Sequence, residues 1–147
     1  MKKILELKTS TALILFIIGD IICVGAGMGV PIFCIIFGSF IGFYTAKKAV
    51  ALENNLNAIM KLNLKYSIVT AFVTLVLMSM IWIPCIRFLF ESSYDYVNFG
   101  MPLILYGAKS SFIGWIVLMV LISPFLQFLG TITVSYIVLM RESKNEN

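Results

Sequence analysis

Two ionisable side chains lie inside long apolar stretches of the sequence, and they are the first candidates for chemistry. Asp20 is the single charged residue within residues 12–46. Arg87 is the single charged residue within residues 66–90. An ionisable group in a membrane-spanning helix is expensive to bury and is a functional candidate by default. The first interpretation is a static Asp20–Arg87 ion pair that fixes helix register, and the alternative is a proton or ion relay.

Four hydrogen-bonding side chains recur at every fourth position of the last apolar stretch. They are Ser123, Gln127, Thr131 and Ser135. Residues spaced by four share one face of a helix, and a polar face avoids lipid. In the packing interpretation these groups bond to Thr70 and Thr74 of the preceding apolar stretch, or to carbonyls of their own helix. The alternative is a polar lining for a pore or substrate path.

A stripe of small residues has the same spacing in the second apolar stretch. It consists of Cys34, Gly38, Gly42 and Ala46. Small residues allow another helix backbone to approach closely, as in the G-x-x-x-G motif. The stripe therefore predicts tight helix packing, either within one bundle or between subunits.

Other common chemical signatures are absent from the sequence. It contains no histidine, its three cysteines are not paired as C-x-x-C, and it has no zinc, phosphate-loop or nucleotide fingerprint. We therefore expect no metal site, no cofactor and no enzymatic activity. A disulfide between Cys23 and Cys34 is one interpretation of their proximity in sequence, but free thiols are the default interpretation.

The overall composition places these residues in a membrane. Hydrophobic residues make up 61% of the 147 residues and charged residues 12%, whereas soluble proteins carry about 25% charged residues. The net charge is +4, but the positive residues flank apolar stretches and do not form one water-facing patch. Nucleic acid is therefore not an expected partner, and the lipid bilayer is.

Four helices are predicted to cross the bilayer as an all-α bundle in one membrane domain, residues 1–147. The stretch 12–46 is too long for one crossing, which needs about 20 residues, and its glycine-rich centre ending in Pro31 predicts a hairpin between two helices. The predicted helices are residues 5–25, 30–48, 66–90 and 111–140. Pro84 should bend or end the third helix, and the length of the fourth implies a tilt, a kink at Pro124 or an end outside the core.

Two connecting segments complete this prediction. Within residues 50–64, Leu56, Ile59 and Met60 follow helical spacing, which predicts an amphipathic connector on the membrane surface or an extension of the second helix. Residues 91–110 are rich in aromatic side chains and predict an exterior loop that dips into the headgroup layer.

Positive charge is concentrated at one end of the predicted helices. Nine of the eleven lysines and arginines fall on the side that holds both termini. These nine are Lys2, Lys3, Lys8, Lys47, Lys48, Lys61, Lys65, Arg141 and Lys144. The positive-inside rule then places both termini in the cytoplasm and the chain in the cell membrane.

These patterns favour a non-enzymatic function. The primary expectation is a subunit or accessory protein that packs with itself, as a homo-oligomer, or with a larger membrane-protein complex. The alternative is a small oligomeric transporter or channel in which Asp20, Arg87 and the polar stripe of the fourth helix line a route.

Overall fold

The chain folds into helices joined by short segments. A computed structural model describes residues 8–25, 30–52, 55–91, 93–96 and 102–145, and every regular element within these ranges is helical. The α-helices are α1, Thr9–Gly25; α2, Val30–Leu52; α3, Leu56–Trp82; α4, Ala108–Val117; and α5, Ser123–Asn145. A 3-10 helix, Ile83–Phe90, follows α3, and a π-helical segment, Leu118–Ile122, joins α4 to α5. The predicted all-α class is confirmed for these ranges.

Three helical stretches are long and apolar enough to cross a membrane. They are Pro31–Leu52, Leu56–Phe90 and Ala108–Glu142. Helix α1 has 17 residues, and its length of about 25 Å falls short of a hydrocarbon core of about 30 Å. Residues 1–7, where the first crossing was predicted to begin, and the predicted turn at 26–29 lie outside the described ranges.

Helix α3 begins earlier than the sequence predicts. Asn55 caps it, with the side-chain Oδ1 accepting a hydrogen bond from the Asn57 backbone N–H at 2.9 Å. The next ten residues contain neither glycine nor proline, so nothing ends the helix before the apolar stretch begins. The amphipathic connector predicted at residues 50–64 is therefore not a separate element. Its first part belongs to α2, and residues from Leu56 onward belong to α3.

Pro84 and Pro124 lie where the helix type changes, because a proline has no N–H for the regular helix hydrogen bond. Helix α3 ends at Trp82, and Pro84 lies in the first turn of the 3-10 helix. The π-helical segment directly precedes Pro124, whose missing N–H would leave a carbonyl unpaired in a regular helix. There the Ser123 hydroxyl donates to the Leu118 carbonyl at 2.8 Å. The helix continues beyond Pro124 without a break in its backbone path.

The described part of the segment that was predicted to be an exterior loop packs on neighbouring helical residues. Tyr94 stacks on Phe88, with ring centroids 4.4 Å apart. The Tyr96 hydroxyl donates to the Phe88 carbonyl at 2.7 Å. Near the start of α4 the Ser111 hydroxyl donates to the Leu105 carbonyl at 3.0 Å and accepts from the Leu105 N–H at 2.9 Å. Tyr94 and Tyr96 of the predicted loop thus pack on the protein itself.

Candidate functional site

The small residues of α2 lie directly against the backbone of α5. A Cβ atom at Gly38 would lie 2.3 Å from the carbonyl oxygen of Gln127, and one at Gly42 would lie 2.3 Å from that of Thr131. Both distances are shorter than any real carbon–oxygen contact. The two helices approach this closely only because both positions are glycine.

The remaining members of the α2 stripe lie in the same interior. Cys34 and Ala46 are buried, and Cys34 packs with Met78 of α3 and Met119 of the π-helical segment. On the α5 side, Gly130 adds a third close approach, to the backbone of α2. The stripe predicted from its spacing is therefore used to pack helices of one chain.

The polar stripe of α5 is completely enclosed in this contact. Its four side chains are between 0% and 3% exposed. The Thr131 hydroxyl donates to the Gln127 carbonyl of its own helix at 2.9 Å. The Ser135 hydroxyl donates across to the Gly42 carbonyl of α2 at 3.0 Å, and Ser123 bonds back to its own helical segment. Three of the four groups thus satisfy backbone carbonyls.

The fourth member of the stripe, Gln127, joins the buried carboxyl group through one hydroxyl. The Thr74 Oγ1 lies 2.8 Å from the Gln127 Oε1 and 2.7 Å from the Asp20 Oδ2. Helices α1, α3 and α5 meet at this polar cluster, Asp20–Thr74–Gln127. The contact between α5 and Thr74 is one of the two cross-helix contacts expected from the sequence.

The polar cluster has fewer donor protons than the acceptors around Thr74 require. Thr74 has one hydroxyl proton, whereas an ionised Asp20 and the Gln127 Oε1 are both acceptors. The Gln127 Nε2 is buried and has no hydrogen-bond partner among the residues that the structure describes. Two arrangements restore the balance. In one, a protonated Asp20 donates to Thr74, which donates to Oε1. In the other, the amide turns by half a turn, so that Nε2 donates to Thr74 and Thr74 donates to the carboxylate.

The predicted Asp20–Arg87 ion pair is not formed. Arg87 is exposed, and its guanidinium lies 4.9 Å from the ring centroid of Phe88. It follows Thr74 by 13 residues along the same helical stretch, a distance of about 20 Å. Asp20 therefore lies near the middle of the Leu56–Phe90 stretch, where Thr74 is 18 residues from one end (74 − 56) and 16 from the other (90 − 74). The expected pair fails because Asp20 of α1 packs beside Thr74 and not beside the end of the stretch that carries Arg87.

Two buried polar residues of α3 were missed. Asn63 and Ser67 are 5% and 0% exposed, and the Ser67 hydroxyl donates to the Asn63 carbonyl at 2.8 Å. Within the described ranges, the side-chain amide of Asn63 has no hydrogen-bond partner. Both residues lie on the helix face that also carries Thr70 and Thr74. Their spacing was visible in the sequence, but the neighbouring Lys61 and Lys65 suggested a surface connector.

At the basic end of the bundle, contacts join residues that are far apart in the sequence. The Lys47 ammonium of α2 forms a salt bridge with Glu142 of α5. On the same turn of α2, Lys48 donates to the Tyr44 hydroxyl at 2.9 Å. Cys23, Cys34 and Cys85 are all free thiols, so Cys23 and Cys34 form no disulfide.

No protein-family model, curated protein or solved structure matches this chain. Within the described ranges, no group of three or more histidine, cysteine, aspartate or glutamate side chains could hold a metal ion. Proposals about function therefore rest on the contacts described above.

Proposed function

We propose that the chain is a non-enzymatic integral membrane protein of the cell membrane, a subunit or accessory protein that crosses the bilayer four times with both termini in the cytoplasm. The observation that carries this proposal is the enclosure of the polar stripe. Thr74, Gln127 and Thr131 are 0% exposed, so the groups best suited to line a route are used to hold helices together. The surface left for interaction is apolar.

Helix α1 carries the surface that we propose for a membrane partner. Its contacts with the other helices include Phe16, 6.2 Å from Phe37 between ring centroids, and Asp20. Its opposite side exposes large apolar residues, among them Ile18 at 49% and Ile22 at 63%. A short helix with one apolar face uncovered is suited to packing against a second copy or another membrane subunit.

Photo-crosslinking in native membranes tests this proposal. A photoreactive residue at Ile18 or Ile22 should yield protein adducts of defined mass. The matched control is Phe72 of α3, which is 61% exposed and should yield lipid adducts. Lipid adducts at all three positions, together with a monomeric mass in native-lipid particles, would contradict the proposal.

A small proton-linked transporter or channel is the second candidate, favoured by the shortage of donor protons in the polar cluster. The cluster has one arrangement with Asp20 protonated and one with Asp20 ionised. A buried group that can hold and release a proton in this way is a suitable element for proton transfer. The proposed route uses Asp20 and Gln127 but not Arg87, which lies about 20 Å away.

Flux measurements separate the two candidates. In reconstituted vesicles with a pH-sensitive dye, transport predicts a proton flux that Asp20→Asn and Gln127→Leu abolish without changing assembly. Ser123→Ala is the matched control, because Ser123 bonds only to its own helical segment. Wild-type vesicles as tight to protons as empty ones would rule out proton transport.

A further inference from the structure

A cavity opens between α1, α2 and α3 at the basic end of the bundle. Its volume is about 110 Å³. Of the contacts that hold α1 to its neighbours, that of Phe16 lies at the middle of the helix and that of Asp20 one turn later. Toward Thr9 the cavity separates α1 from the other two helices. On α1 the cavity is lined from Thr9 to Phe16, so Phe16 marks its end farthest from the start of the helix.

The cavity combines apolar walls with a positively charged rim. Leu13, Phe16, Ile41 and Val69 line its sides, whereas Lys48 and Lys65 lie at the end nearest the basic face. None of the described residues that line it is acidic. A ligand that fits this arrangement carries a negative charge at one end and an apolar group at the other.

The depth of the cavity matches one end of a membrane lipid. From Thr9 to Phe16 the wall of α1 rises by about 10 Å, and from Lys65 to Thr70 that of α3 rises by about 8 Å. Lys48 and Lys65 lie at the rim and their long side chains can reach the membrane surface, so Phe16 and Val69 lie on the hydrocarbon side of them. A headgroup at the rim would place its acyl chain along the walls.

We propose that this cavity binds one anionic phospholipid, with its phosphate between Lys48 and Lys65 and the end of one acyl chain against Phe16 and Val69. Basic pockets between helices on the cytoplasmic side are known sites for anionic headgroups. A helix of a second copy, about 10 Å wide, is too large for the space. An apolar cavity also offers a water molecule too few polar partners to hold it. This lipid site is compatible with both functions proposed above, the subunit and the transporter.

Native mass spectrometry tests the site on the full chain in mild detergent, with phosphatidylglycerol or phosphatidylcholine as the probe. The wild type should retain one phosphatidylglycerol per chain and little phosphatidylcholine. The double variant Lys48→Gln/Lys65→Gln should bind phosphatidylglycerol about thirtyfold more weakly, from the loss of two charges. The matched control Lys61→Gln/Arg141→Gln removes two charges from the same end, outside the cavity, and should retain the lipid.

A second variant tests the acyl chain separately from the charge. Ala12 lines the cavity, and Ala12→Phe should fill it and displace the lipid while leaving both lysines in place. Full retention by Ala12→Phe would overturn the proposal, as would equal retention of the two lipids by the wild type. Displacement by inorganic phosphate would assign the rim to a soluble anion instead. If Ala12→Phe does not fold, the comparison between the two lysine variants decides the outcome.

Discussion

At the residue scale, one hydroxyl holds the polar interior together. Thr74 connects Asp20 of α1 to Gln127 of α5, and it is 0% exposed. Thr70, one turn earlier, donates only to carbonyls of its own helix. The two threonines are therefore chemically alike, but only Thr74 links helices. They form a matched pair for measuring what the polar cluster contributes.

Replacing Thr74 by valine should destabilise the protein more than the same change at Thr70. Thr74→Val leaves Asp20 and Gln127 without their shared partner, at a cost of about 1–3 kcal/mol. Thr70→Val removes only a bond to its own helix and should cost less than about 0.6 kcal/mol, which is typical of side-chain hydrogen bonds between helices in membranes. Unfolding by titration with a denaturing detergent measures both, and equal losses would show that the cluster does not couple the helices.

Gln127→Leu should be almost neutral for stability, although Gln127 is completely buried. The substitution removes the unpaired Nε2 together with the Oε1 bond, and Thr74 can still donate to Asp20. Removing a buried group that lacks a partner offsets the lost hydrogen bond, so the change should lie within about 1 kcal/mol. The same detergent titration measures it. A loss as large as that of Thr74→Val would indicate that Nε2 has a partner in the membrane.

At the element scale, the glycines of α2 set the distance between α2 and α5. Gly42→Ala would place a methyl group 2.3 Å from the Thr131 carbonyl oxygen if neither helix moved. The helices must separate, at a cost of about 1–3 kcal/mol. At Gly114 of α4 the nearest atom to a new Cβ is the end of the Ile104 side chain, at 3.0 Å. Gly114→Ala should therefore be tolerated, because that side chain can move.

Thermal unfolding in detergent compares these two variants. A spin-label distance between the cytoplasmic ends of α2 and α5 shows whether the helices have separated. An unchanged distance in Gly42→Ala would mean that the backbone adjusts locally, without opening the helix pair.

Much of this element-scale organisation could be predicted from local sequence. Pro84 and Pro124 marked the changes of helix type, and the steps of four identified the two stripes that meet. The partner of Asp20 could not be predicted, because it depends on where α3 begins. Lys61 and Lys65 suggested a boundary at the membrane surface, but long lysine side chains can extend from a continuous helix to the surface. Which faces meet is decided by packing across the chain.

At the scale of the whole molecule, the distribution of lysines predicts the orientation. In a variant without its three native cysteines, an impermeant maleimide applied to intact cells should label Tyr106→Cys, whose native side chain is fully exposed in the outer loop. It should label Asn147→Cys only after the membrane is permeabilised. Labelling of both positions from outside would place the C-terminus on the same side as the outer loop and contradict the proposed orientation.

The hydrogen bonds of Asp20 also bear on how the chain is made. Its partner Thr74 follows it by 54 residues (74 − 20), and Gln127, which shares the Thr74 hydroxyl, follows it by 107 (127 − 20), so α1 is synthesised before either. Alone, a 17-residue helix with an aspartate five residues from its C-terminal end loses up to about 2.5–3.5 kcal/mol of its tendency to enter the bilayer. Stable insertion of α1 therefore depends on helices made later. The polar cluster that buries Asp20 of α1 is complete only after α5, which carries Gln127, has been synthesised.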